Sequence, residues 1–448
     1  MANPAKHANP TKRGWLPYLS TSARASMPSS GLILLDSATE ATMSTEQTSS
    51  EELPHGKSEA LEYQCIAKDH LSRASLLTLP HGVVDTPIFM PVGTQGTVKG
   101  LTASELEEEP INAPIILANT YFINLRPGTD LLDEIGGLHK LEGWSRNLLT
   151  DSGGFQMVSL LDLAEFTEEG VHFQSPVDGT ELLLTPEKSM AIQNSIGSDI
   201  MMALDDVVPV TCKDHARFEL AAERSVRWID RCIAAHTNTA NQNLFGIIQG
   251  GTDPVLREYS LKHFMERDAK LPGYAIGGLS GGEDKADFWR TVKQCCDVLP
   301  PSKPRYVMGV GYPVDLVVCV CLGADMFDCV YPTRTGRFGT ALVPTGTMNL
   351  RLAQFREDSR PVMQGCRCFV CRTYTRAYLH DTVSETLTGQ LIAYHNVAYQ
   401  LQLMRGLRQS IVEHRLEAFV RDFMAKQFPE GAPQWVRDAV EAAGMSLE

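Results

Sequence analysis

The chain has 448 residues, a formal net charge of −14, 43% hydrophobic and 21% charged residues, the balance of a soluble globular protein. No apolar run is long enough to cross a bilayer, and eleven cysteines without a secretory segment ahead of them argue against a disulfide scaffold and for a reducing compartment. The acidic balance excludes a basic coat for nucleic acid and leaves room only for a local basic strip.

Residues 1–57 are rich in Ser and Thr and carry Lys6, Lys12, Arg13 and Arg24 with no acid before Asp36. Such a segment reads either as an organelle transit sequence or as a disordered tail, with Met27 and Met43 as alternative starts. From there on, short apolar runs alternate with longer amphipathic ones. "PIFMPVG", "APIILANT", "NLLTDSGG", "DIMMALDD", "NLFGIIQGG", "YAIGGLSGG", "RYVMGVG" and "DMFDCV" are eight strand candidates. Thr102 and Glu105 form a capping-box signature, and Thr185, Pro186 and Gly197 frame one of the intervening helices. Eight strands with helices between them predict an α/β fold, a (β/α)8 barrel over residues 58–345, with an open doubly wound sheet as the alternative. The barrel is favoured because Asp151, Asp205, Gln249, Gly278 and Asp328 all fall at the C-terminal ends of strand candidates. Those ends converge on one mouth in a closed barrel.

Beyond the barrel, "GCRCFVC" supplies Cys366, Cys368 and Cys371, and the helical stretch "GQLIAYHNVAYQLQLM" supplies His395. Three thiolates from one turn and one imidazole from a helix complete a closed tetrahedral site, so one structural zinc ion is expected within a subdomain spanning 346–428. His380 is the competing fourth ligand, residues 429–448 read as a tail, and Cys295, Cys296, Cys319 and Cys321 read as core thiols.

Two carboxylates at a barrel mouth suit chemistry at a glycosidic carbon, one as nucleophile and one as proton carrier. Asp151 is followed by "SGGF", whose glycines admit a planar ligand and whose Phe155 offers a stacking face. Asp205 and Gln249 can address the edge of a heterocycle, and the "GGLSGG" backbone can add N–H groups. Arg334 and Arg337 would then hold phosphates flanking the base.

These residues carry a resemblance. "TDSGGFQ", "GIIQGG", "YAIGGLSGGE", "MGVGYPVD", "DMFDCVYPTRTGR" and the cysteine knuckle with His395, in that order between about residues 60 and 428, resemble the tRNA-guanine transglycosylase family. The resemblance implies a zinc-bearing barrel that exchanges guanine at wobble position 34 of tRNA for a modified base through a covalent enzyme–RNA intermediate. It implies Asp328 as nucleophile and Asp151 as proton acceptor and donor. Ser152, Gly153, Gly154, Phe155, Asp205, Gln249, Gly278, Leu279, Gly281 and Met308 would bind the base. Gly309, Val310, Gly311, Tyr312, Pro313, Val314 and Asp315, with Thr333, Arg334, Thr335, Gly336 and Arg337, would contact RNA.

Phe155, Val207 and Gly281 resemble the eukaryotic branch, where bacterial forms carry tyrosine, cysteine and valine. That implies queuine as incoming base, tRNAs with a GUN anticodon (those for aspartate, asparagine, histidine and tyrosine), and a heterodimer with a related non-catalytic subunit. Cytoplasmic residence follows from the same resemblance, with mitochondrial association through the N-terminal extension as its variant. A retaining glycosidase acting on free nucleosides, and a non-catalytic RNA-binding relative, are the rival readings.

Overall fold

The computed structural model describes residues 53–154, 164–174 and 179–448. Eight parallel strands close into a barrel in strict chain order: β1 (Ile88–Gly93), β2 (Ile115–Ala118), β3 (Asn147–Thr150), β4 (Ile200–Met202), β5 (Asn243–Ile248), β6 (Gly273–Ile276), β7 (Arg305–Val307) and β8 (Met326–Cys329). The ring closes where Met326 to Cys329 pair in register with Ile88 to Pro91. An open sheet is thereby ruled out, and all eight strand candidates are barrel strands. Parallel strands covered by helices outside and side chains inside are buried on both faces, which is why they read as continuous apolar runs. Phe89, Phe245, Tyr274, Tyr306 and Phe327 are among the fully buried side chains.

Local signals act where the sequence places them. Thr102 and Glu105 make both hydrogen bonds of a capping box on helix Ala103–Glu107, and Thr185 accepts the Lys188 N–H at the start of helix Pro186–Ile196. Cys295, Cys296, Cys319 and Cys321 are buried, with burial pushing their thiols up, as core thiols should be.

Three regions differ from expectation or add to it. An antiparallel sheet of His55–Lys57, Glu62–Asp69, Ser72–Leu79 and Gly82–Thr86 precedes the barrel, so ordered structure begins inside the segment expected to be a tail or transit sequence. Its Arg73 donates to both oxygens of Asp325 (Nε–Oδ1 2.8 Å, Nη2–Oδ2 2.5 Å) and to the carbonyls of Pro301 and Lys303. Asp325 also accepts the Arg305 N–H, so this buried ion pair pins the sheet to the beginnings of β7 and β8. Removing one partner of such a pair costs about 3–5 kcal/mol. Between β3 and β4, strands Glu165–Phe166, Val171–Gln174 and Glu181–Leu184 form a small antiparallel sheet. Near the C-terminus, the region read as a tail contains helix Gln434–Ala442, whose Val436, Ala439 and Val440 are buried. Their helical spacing gives the segment an apolar face to pack, which a tail lacks.

After β8 the chain runs through helix Tyr331–Arg337 and the hairpin Thr340–Val343 and Gly346–Asn349 to the long helix Thr386–Val412. Gly336 is required at the crossing of these two helices: a Cβ there would come within 2.5 Å of the Ala393 backbone nitrogen.

Candidate active site and metal centre

The carboxylates expected to do chemistry stand at the C-terminal mouth of the barrel. Asp328, in β8, has one oxygen fixed: Oδ1 accepts from the Tyr306 hydroxyl at 2.5 Å and from the Gly309 N–H at 2.8 Å. Among the described residues nothing donates to Oδ2, whose lone pairs remain available. Burial raises the Asp328 carboxyl, and the two donors oppose that rise. Tyr306 is wholly buried, and burial together with the charge of Asp328 pushes its phenol well above the usual range. It therefore stays protonated and keeps donating.

Asp151 directly follows β3. Its Oδ1 accepts from the Thr120 N–H at 3.0 Å and the Gly153 N–H at 3.1 Å, and its Oδ2 from the Asn119 amide. Asn119 and Thr120 follow β2, so neighbouring strands deliver the acid and its donors. Burial outweighs those donors and pushes the carboxyl up to about 7, with the charge of Asp328 adding to the rise. A carboxyl poised near neutrality can both give and take a proton.

Deeper in the mouth, Asp205 is nearly inaccessible and is bridged on both oxygens, Oδ1 by Ser152 Oγ (3.1 Å) and Oδ2 by Gln249 Nε2 (2.6 Å). Burial pushes its carboxyl up to about 6. Gln249 in turn sits against Gly278, where φ is +68° and a Cβ would lie 2.5 Å from Gln249 Oε1, so only glycine fits. Gly153 and Gly154 are buried beside this group, and Leu279 and Met308 are half-buried at its edge. Phe155 lies outside the described residues. Of the "GGLSGG" backbone, the N–H groups of Ser280 and Gly281 are already taken by Glu283, at 2.6 and 2.9 Å. A side chain at Gly281 would meet Val210 Cγ1 at 2.9 Å, so the segment after β4 bounds the room beside it.

The segments expected to touch RNA divide by exposure. Gly309, Tyr312, Arg334 and Arg337 are exposed, and Val314 and Thr335 are partly so. Val310, Gly311, Pro313, Asp315, Thr333 and Gly336 are buried and present little surface to a polyanion. Asp315 is instead paired with Lys285 at 2.6 Å, and Gly311 gives its carbonyl to Gln400. Arg334 and Arg337 have no ion pair among the described residues, and beside them stand exposed Phe338 and the Tyr312 and Tyr331 rings, 4.4 Å apart. Burial and the like charge of Arg334 lower the Arg337 guanidinium.

Below this strip, the Sγ atoms of Cys366, Cys368 and Cys371 lie 3.9, 3.5 and 3.4 Å from Nδ1 of His395. Tetrahedral coordination with zinc–sulfur and zinc–nitrogen bonds of ordinary length separates S and N by about 3.6 Å. The four residues therefore fit a metal ion, and all their ligand atoms lie within 4.8 Å of one another. His395 Nε2 donates to the Leu342 carbonyl at 2.9 Å, which turns Nδ1 toward the thiols. The neighbouring Asn396 takes the Leu342 N–H at 2.7 Å, so the long helix grips the hairpin on both sides of one residue. His380 is bonded to the Leu350 carbonyl and lies outside the group. Four protein ligands would leave an ion held there no open position for water.

Comparison with known proteins agrees with this arrangement. The family model for queuine tRNA-ribosyltransferase matches residues 68–429. The chain belongs to that family. It is 50% identical over 402 residues to the queuine tRNA-ribosyltransferase catalytic subunit of Schizosaccharomyces pombe, covering 87% of this chain and 98% of that protein. The Caenorhabditis elegans protein of the same name is 48% identical over 405 residues, covering 87% and 100% of the two chains. The queuine tRNA-ribosyltransferase of Thermus thermophilus is 47% identical over 384 residues, covering 85% and 98%.

Within this member of the family, sequence reading missed three residues that organise the mouth. Tyr306 and Asn119 hold the two carboxylates, and Arg257, fully buried, donates to the carbonyls of Ile248, Gly251 and Gly277 at 2.6, 2.8 and 2.6 Å. Arg257 thereby ties the end of β5 to the end of β6 and holds Gln249 and Gly278 in contact. Its position in "DPVLREYSLKHF" looks like the charged face of a surface helix. Only the flanking "GG" at 250–251, which lets the helix start close under the strand ends, hinted otherwise.

Proposed function

We propose that the chain exchanges guanine at wobble position 34 of GUN-anticodon tRNAs for queuine without breaking the RNA backbone. The carrying observation is the asymmetric pair at the mouth: Asp328 with Oδ1 held by Tyr306 and Gly309, and Asp151 poised near neutrality. Asp328 Oδ2 attacks the ribose anomeric carbon as the bond to guanine breaks, and the bonding pair leaves with the base. Asp151 supplies the proton that neutralises it. After guanine departs, the incoming base gives its proton to Asp151, its ring nitrogen attacks the same carbon, and the carbon–Oδ2 bond breaks. The exchange is ping-pong, and two displacements retain the configuration. Asp205, Gln249 and Ser152, interlocked before any base arrives, form the recognition edge, so little ordering is left to binding.

The test is incorporation of labelled guanine into tRNA, run beside free guanosine. Incorporation into tRNA, and its displacement by queuine, is the expected result. Release of guanine from free guanosine without incorporation would favour a nucleoside glycosidase. Arg334→Ala and Arg337→Ala should each weaken tRNA binding about three- to tenfold, lower the salt dependence by about one charge, and leave single-turnover rate at saturating tRNA unchanged. A fall in that rate at unchanged affinity would remove the arginines from the RNA-binding role.

The ion held by Cys366, Cys368, Cys371 and His395 we infer to be zinc, in a structural role. Chelation should release one zinc per chain and lower the thermal midpoint by several degrees, because the ion joins the cysteine turn to the long helix. Retention of full stability after metal loss would overturn that role. The same reading extends to a heterodimer with a related non-catalytic subunit, supported by the catalytic-subunit names of the yeast and nematode relatives, and to residence in the cytoplasm or at the mitochondrion.

A further inference from the structure

At the end of the barrel opposite the mouth, residues that begin β1, β2 and β3 line a cavity of about 570 Å³. Three guanidiniums meet there: Arg146, and Arg405 and Arg408 about one turn apart on the long helix. Arg146 and Arg405 clamp the same residue. Arg146 Nη1 donates to Asn112 Oδ1 at 2.6 Å and Arg405 Nη2 to the Asn112 carbonyl at 3.0 Å, so two cations stand about a residue's width apart. Their other bonds, and those of Arg408 to Ser75 and Thr86, go to backbone carbonyls. Carbonyls satisfy N–H groups without cancelling charge. Among the described residues Asp85 is the one carboxylate lining the cavity; it is exposed and bonds Arg408 Nη2 at 2.8 Å. Burial holds Arg405 and Arg408 below the usual guanidinium range, with Arg146 adding to the effect at Arg405 and Glu109 and Asp85 opposing it.

We propose that this cavity binds a small phosphate-bearing anion, of pyrophosphate to nucleotide size. Clustered guanidinium forks are the side chains best matched to phosphate oxygens, and the volume lies in the range of small-molecule sites. Concentrated positive charge in a chain of net charge −14 gives such an anion a local attraction. A free anion is favoured over the tRNA backbone because the exposed arginines of the RNA strip follow β8 at the other end of the barrel. Occupancy would brace the Ser72–Thr86 hairpin, the 107–113 turn and the long helix together, raising thermal stability by mass action.

Pyrophosphate titrated into the full chain, followed by calorimetry and thermal unfolding, tests this. Binding should raise the unfolding midpoint, weaken at least tenfold in Arg408→Gln, and tighten at least fivefold in Asp85→Asn. Should Arg408→Gln fail to fold, Asp85→Asn decides alone, since its side chain is exposed and its ion pair is with Arg408. No pyrophosphate binding, or equal affinity in wild type and Asp85→Asn, would overturn the proposal. So would loss of tRNA affinity in Arg408→Gln without any pyrophosphate binding, which would assign the cations to RNA.

Discussion

Asp328→Asn is expected to lower base exchange by at least about four orders of magnitude while tRNA affinity stays within about threefold. Losing a covalent nucleophile removes the intermediate itself, and losses of this size are typical when a nucleophile is deleted. The amide nearly preserves shape and can still accept from Tyr306 and Gly309 through its one oxygen, so the surrounding strand ends have no reason to move. The measurement is a denaturing gel of protein incubated with tRNA. Wild type should show a covalent RNA adduct that fresh guanine discharges, and Asp328→Asn should show none. An adduct that persists in the variant would move the nucleophile elsewhere in the mouth and undo the mechanism above.

Asp151→Asn should slow adduct formation about a thousandfold, within the range that general acid catalysis contributes. The pH dependence distinguishes this role from mere positioning. Burial places the Asp151 carboxyl at about 7, and release of guanine needs its protonated form. In wild type the single-turnover rate of adduct formation should therefore be full below pH 6 and fall about tenfold per unit above 7. Discharge of the adduct by an incoming base needs the ionised form and should rise through the same region. Both limbs should vanish in Asp151→Asn. Retention of the wild-type profile by the variant would assign the titration to another group, with Asp205, pushed up to about 6, the first candidate.

The parts of this site that were legible in the sequence were those whose signal is local. Asp151, Asp205 and Asp328 stand immediately after or within short apolar runs, and strands buried on both faces announce themselves by continuous hydrophobicity. The cysteine knuckle was legible because a shared ion needs close spacing along the chain. Tyr306 was hidden because an aromatic in "RYVMGVG" is indistinguishable from core filling. Arg73 and Asp325 were hidden because 252 residues separate them. The burial of half of the segment expected to touch RNA was hidden for a related reason: on a helix residues three or four apart share a face, so one motif turns Arg334 and Arg337 outward and Thr333 and Gly336 inward.

By itself the sequence determined the number and order of the barrel strands, the positions of the carboxylates along them and the four residues that could hold a metal ion. Each of these is set by neighbouring residues and by backbone periodicity. Only the tertiary structure decided that the ring closes through the pairing of β8 with β1, that one oxygen of Asp328 is held while the other is not, and that Arg257 joins two strand ends. Ring closure, burial and long-range hydrogen bonds depend on which distant segments share a volume, and no local pattern in a chain encodes that.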